Sequence, residues 1–161
     1  MIFGTTDRFA LEFESWREQF ASVLVWIGGT SFGDSRSVSV KSSLDIDLQH
    51  FVALATTQRA SPAASGSVDE VTSWFRALLS SDAASATEAR DQDRLIREVW
   101  LFAYAPEGLA GVCTVVGFSN DSVRITAWDE ERPREAVQVV VSRPEFDSVL
   151  EAASRWLGAG S

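Results

Sequence analysis

Cysteine, histidine and lysine each occur once in the 161 residues, and these scarcities exclude more than the rest of the composition does. Cys113 alone can neither close an internal disulfide nor anchor a thiolate metal cage, so neither staple contributes to the fold. It falls in a valine-rich run and reads as a small core residue rather than an activated thiol. A nucleophile-base-acid arrangement would have to use His50, which lies inside a helical pattern beside Phe51 and far from any G-x-S-x-G turn, so it reads as a helix-flank histidine. Phosphate-cradling loops are also missing, because Gly28 and Gly29 follow a strand-like run without the required spacing. The acidic runs at Asp91 and Asp93 and at Asp129, Glu130 and Glu131 lack the ligand spacing of a calcium loop. No cofactor and no metal is expected, and nothing marks the chain as an enzyme. No apolar run approaches the roughly 18 residues that cross a bilayer, and the first residues lack the features of a signal peptide. The expectation is a cytoplasmic protein without a membrane partner.

Hydrophobic residues at 45% and charged residues at 23% place the chain among ordinary globular domains and exclude wholesale disorder. The net charge of -9 is spread along the whole chain. A polyanion such as nucleic acid would be repelled by that field, and a cationic protein would be drawn in. Acidity also keeps a cytosolic protein soluble, and that plainer reading stands beside the first.

Phe9, Leu11 and Phe13 alternate with polar residues from Arg8 to Trp16, which predicts a half-buried strand. Phe20 to Ile27 predicts an antiparallel partner, and Val38 and Val40 a weak third strand after the turn at Gly33 and Asp34. Leu44, Leu48, Phe51 and Val52 share a helical face running to about Thr56, with Ser42 and Asp45 as a capping box and Asp45 and Asp47 in the first turn. Ser61 to Ser67 predicts a flexible connection, followed by a helix that opens on Ser67 and Glu70 and buries Val71, Phe75, Leu78 and Leu79. Ser80 to Glu88 has little to bury and reads as mobile. From Leu95 to Phe102 the pattern fits a helix or a strand. After a turn at Pro106 to Gly108, Val112 to Phe118, Val123 to Ala127 and Val137 to Val141 predict a second meander. A final helix opens on Ser142, Pro144 and Glu145 and carries Phe146, Val149, Leu150, Ala153 and Leu157. The sum is an α+β single domain over residues 1-161: a mainly antiparallel sheet from two strand meanders, with three to four helices including a C-terminal one.

Two segments carry a more specific signal. MIFGTTDRFALEFE followed by VWIGGTSFGD resembles the opening of the bacterial immunity protein 42 family, through Met1 to Gly4, Phe9 to Glu14, Trp26 to Gly29, and Gly33 with Asp34. SLDIDLQHF and the closing EFDSVLEAA continue the likeness, whereas Ser61 to Ala105 looks individual. The resemblance implies a cytosolic antidote of a polymorphic toxin or contact-dependent growth-inhibition system, which binds its own toxin C-terminal domain and blocks it. The family motifs themselves read as scaffold.

Specific toxin contacts are then expected on the acidic surface, at Asp45, Asp69, Glu70, Asp91, Asp93, Asp129, Glu130 and Glu131, with a cationic nuclease as the toxin. The alternative is a small-ligand-binding or regulatory domain without catalysis, in which Trp16, Trp100 and Trp128 line a pocket.

Overall fold

The computed structural model describes residues 1–54, 61–103 and 107–159. Among the described residues the architecture is α+β, with two antiparallel sheets and five α-helices. The first sheet contains β1 (Ile2–Thr5), β2 (Phe9–Arg17), β3 (Phe20–Ile27), β4 (Thr30–Phe32) and β5 (Ser39–Val40). The first four follow one another across the sheet, and β5 pairs with the start of β3. Then come α1 (Lys41–Leu54), α2 (Pro62–Ser65), α3 (Val68–Ser80) and α4 (Ala86–Val99). The second sheet is the meander β6 (Val112–Phe118), β7 (Ser122–Asp129) and β8 (Val137–Ser142), and α5 (Arg143–Gly158) closes the chain.

Strand periodicity explains how these pieces stack. In the first sheet Phe9, Leu11 and Phe13 of β2 and Val23, Val25 and Ile27 of β3 all point to one face and are fully buried. Against that face α5 places Phe146 on Phe9, with ring centroids 5.2 Å apart, and Trp156 on Phe13 at 5.5 Å. Leu44, Leu48 and Phe51 of α1 and Val116, Ile125 and Val141 of the second sheet complete the same core. The second sheet is covered on both faces along β6 and most of β7, while Val140 at its β8 edge is exposed. Its other side carries Cys113, Val115 and Trp128, packed with Ala63 of α2, Val71 and Phe75 of α3, and Val99 of α4. A strand buried on both faces reads as a continuous apolar run, which is why Val112 to Phe118 shows no alternation.

Several expectations change. The segment Ser61 to Ser67 is not a loose connection: Pro62–Ser65 forms one helical turn held against the second sheet. Arg124 donates from Nε to the Ala64 carbonyl at 3.3 Å and from Nη1 to Gln138 Oε1 at 2.7 Å, while Gln138 Nε2 donates to the Gly66 carbonyl and to Thr126 Oγ1. The stretch taken as mobile ends at Ser85, which accepts from the Glu88 amide and starts α4 nine residues before the apolar stripe at Leu95. The helix-or-strand ambiguity resolves as helix, since α4 runs to Val99 and only Trp100 after it makes an isolated bridge, to Val115. Ser42 lies inside α1, so the Ser42 and Asp45 capping box does not form, and Asp45 and Asp47 sit beyond the first turn. Strands β1 and β4 were not anticipated. The expected end of α1 near Thr56 and the turn residue Pro106 lie outside the described residues. By contrast, Ser67 and Glu70 form a complete capping box, and Ser142 accepts from the Glu145 amide at 3.3 Å.

Candidate protein-binding surface

The eight carboxylates nominated from sequence do not converge on one spot. Asp45 is half-buried in the seam between α1 and α5, where it accepts from Ser154 Oγ and, at 2.8 Å, from Gln49 Nε2. Asp69 and Glu70 are exposed in the first turn of α3, but the Ser67 amide and hydroxyl both donate to Glu70 and hold its pKa below the usual carboxylate value. Asp91 and Asp93 are exposed on α4, and Asp93 pairs with Arg97 at 2.7 Å. Beyond β7, Asp129 is half-buried and accepts from the Glu131 amide at 2.9 Å, whereas Glu130 and Glu131 are exposed. The α3 and α4 carboxylates thus belong to the helices on the outer side of the second sheet, whereas Asp129 ends β7 and Glu130 and Glu131 stand in the turn after it. Asp45 stands apart from them.

His50 is exposed on α1, where it borders a small depression with Asp47, Phe51, Arg97 and Trp100. Burial pushes the Asp47 carboxyl above its ordinary pKa, and the nearby His50 opposes that shift. Cys113 is buried, and its thiol lies 3.6 Å from Glu130 Oε1. Burial first, then the charge of Glu130 and its hydrogen bond, push the thiol pKa up to about 12, which keeps it protonated and unreactive at neutral pH. Among the described residues no group of three or more His, Cys, Asp or Glu side chains is arranged to hold a metal ion. No helix among them is long and apolar enough to cross a membrane.

The three tryptophans of the alternative small-ligand reading, Trp16, Trp100 and Trp128, do not line a common pocket. Trp128 is fully buried, and it and Trp100 each meet Phe75 edge to face, with centroids 5.9 and 5.5 Å away. Trp16 is in the first sheet and 53% exposed. A groove of ligand size with an apolar lining lies elsewhere, a 530 Å³ hollow between α1 and α5 bordered by Leu48, Val52, Ala53 and Leu150.

Sequence reasoning missed the face of the first sheet that no helix among the described residues covers, where the small Ala10 and Ser22 are buried between larger neighbours and Ile2, Phe20 and Val40 are exposed. Register places Glu12 beside Ile2 and Leu24, Ala10 beside Trp26, Glu14 beside Ser22, and Phe20 beside Arg17 and Val40 on that face. Trp26 donates from Nε1 to Glu12 Oε2 at 2.7 Å, which fixes the indole across the strands. The pairing register shifts between Ser15 and Arg17, so Trp16 is the additional residue of a bulge. Of the nine exposed large hydrophobic side chains among the described residues, five belong to this sheet or its edge: Met1, Ile2, Trp16, Phe20 and Val40. The signal was present in the sequence, because a strand with one apolar face that still carries Trp16, Phe20 and Trp26 has aromatic groups to spare.

No protein-family model matches the chain, and no curated protein does. Among solved structures, the chain is similar to the crystal structure of CdiI from Burkholderia dolosa. The two share 19% sequence identity with a TM-score of 0.67, over 100% of both chains. At that identity the likeness is one of fold.

Proposed function

We propose that this chain is an immunity protein of a contact-dependent growth-inhibition or related polymorphic toxin system, which neutralises a cognate toxin domain by stoichiometric, non-covalent binding in the cytoplasm. The observation that carries the reading is the end-to-end fold correspondence with a CdiI immunity protein. Independent support comes from the opening motifs at Met1 to Gly4 and Trp26 to Gly29, which resemble the immunity protein 42 family. The finer assignment to that family rests on those motifs.

Charge favours a cationic nuclease as the toxin, because a chain of net charge -9 attracts the Arg and Lys side chains with which a nuclease holds phosphates. Asp69, Glu70, Asp91, Asp93, Asp129, Glu130 and Glu131 are proposed to steer that encounter, with Asp45 reserved for the fold. The test mixes purified chain with the C-terminal domain of the toxin encoded beside it and follows residual toxin activity against molar ratio. Activity should vanish at one equivalent. Neutralisation at strongly substoichiometric amounts, or chemical change in the toxin, would point to catalysis instead.

The groove between α1 and α5 favours a second reading, a small-ligand domain, since its lining is apolar with Glu151, Ser154 and Arg155 at the rim. A thermal-shift screen with amphipathic small molecules separates the two readings. Strong stabilisation by a ligand, without toxin binding, would favour the second.

A further inference from the structure

We infer that the uncovered face of the first sheet is the surface on which the partner docks, and that the partner presents basic side chains flanked by apolar ones. The immunity reading supplies the partner's identity; the position of the surface comes from the sheet itself.

The two sheets are treated differently by the chain. The second is closed on its outer side by α2, α3 and α4. The side chains of α5 that stack on the first sheet, Phe146 on Phe9 and Trp156 on Phe3 and Phe13, all meet its core face. On the opposite face Ile2, Phe20 and Val40 are 48%, 37% and 42% exposed, and Trp16 at the bulge is 53% exposed. Phe20 and Val40 are register partners, so their side chains stand together. Aromatic groups gathered on rigid strands lose little entropy when covered and are enriched among residues that dominate binding energy.

The charge on this face selects the occupant. Glu12 and Glu14 project from alternate positions of β2, and exposed Glu18 lies in the turn that follows, against the single basic residue Arg17. Glu12 is held in place by the Trp26 indole, so its carboxylate is oriented before any partner arrives. A second copy of the chain fits poorly, since a two-fold contact would bring these carboxylates towards one another between bodies of net charge -9 each. A basic partner meets the same carboxylates with opposite sign, and its Arg or Lys side chains can also lie on the face of Trp16. The acidic residues of α3, α4 and the β7–β8 connection then accelerate approach, and this face holds the complex.

Purified chain is titrated by calorimetry with the purified C-terminal domain of the toxin encoded beside it. The double variant Trp16→Ala, Glu14→Lys should bind about 100-fold more weakly with an unchanged melting curve, and Asp91→Lys should stay within about threefold of the parent. If the parent binds and the double variant also stays within about threefold, the surface assignment is wrong while the immunity reading survives. If the parent does not bind at all, the immunity reading fails and the surface falls with it. A check that needs no variant is oxidation of Trp16 by N-bromosuccinimide, located by peptide mapping. Toxin should slow it about tenfold, as burying an interface anchor does, and an unchanged rate overturns the proposal. Sedimentation of the chain alone completes the test: a dimer that Trp16→Ala dissociates would assign the face to a second copy and overturn it as well.

Discussion

The main chain of Ala63 lies directly on Gly117, so close that a Cβ on the glycine would overlap the Ala63 carbonyl group. Gly117 is the last residue of the buried run in β6, and its missing side chain is the space into which the single turn of α2 fits. The turn cannot easily retreat, because Arg124 and Gln138 bind the carbonyls of Ala64 and Gly66 that follow. Gly117→Ala is therefore expected to destabilise the protein by about 1–3 kcal/mol through overpacking. Urea unfolding of the variant measures it, and a midpoint equal to that of the parent would mean that α2 moves aside freely.

How much of this was legible in advance depended on how many faces an element buries. The alternation of Phe9, Leu11 and Phe13 with Glu12 and Glu14 marked β2 because only one face is covered. In β7 the same logic fails for Trp128, which alternation with Ile125 and Ala127 places on the face shared with Arg124 and Thr126, yet it is fully buried under α3, since helices cover that face too. Strands β1 and β4 are only four and three residues long, too short for periodicity to speak. The first half of α4 is charged and polar, and its capping by Ser85 was hidden in a stretch that has little to bury. For the site, counting carboxylates could not distinguish Asp45, engaged across 109 residues with Ser154, from solvent-facing acids such as Asp91. Long-range partners of that kind leave no local trace in a sequence.

The link between Asp45 and Ser154 yields a prediction that separates fold from binding. Both side chains are half-buried at the α1 and α5 seam, where removing one partner of a hydrogen bond to a charged group costs about 1–3 kcal/mol. Ser154→Ala and Asp45→Ala should each lower stability by that order, and the double variant should lose less than the sum of the two. The toxin affinity of the folded variants should equal that of the parent. Additive losses in a double-mutant cycle, or an affinity defect in folded Asp45→Ala, would return Asp45 to the binding surface.

Cys113 predicts an alkaline weakness. Burial pushes its thiol pKa up to about 12 in the folded protein, from 9.0 for an ordinary thiol. Above pH 9 the unfolded chain releases this proton while the native chain retains it, so the native state binds more protons and stability falls as pH rises. The loss is about 1.4 kcal/mol for each pH unit while both conditions hold. Cys113→Ala removes this dependence, and unfolding free energies of parent and variant from pH 8 to pH 10 should diverge in slope. Parallel curves would show that the thiol is more accessible than its burial indicates. Native Cys113 should also resist iodoacetamide at pH 8 until the protein unfolds.

The acidic surface and the uncovered sheet face should leave different kinetic signatures. Reversing Asp129, Glu130 and Glu131 together is a blunt test, because Asp129 caps the turn through the Glu131 amide and Glu130 accepts from the Cys113 thiol. Glu131→Lys and Asp91→Lys change only exposed positions. Each should slow association with the toxin by up to about threefold at low salt and flatten its salt dependence, while dissociation stays unchanged, as expected for charges that steer without being desolvated. Trp16→Ala should do the reverse, with nearly normal association and fast dissociation, because an apolar anchor acts only after the surfaces have met. Stopped-flow association across a salt series, with dissociation measured by competition, distinguishes the two. If Glu131→Lys and Asp91→Lys accelerate dissociation instead, the carboxylates lie inside the contact and the complex extends over the helical layer.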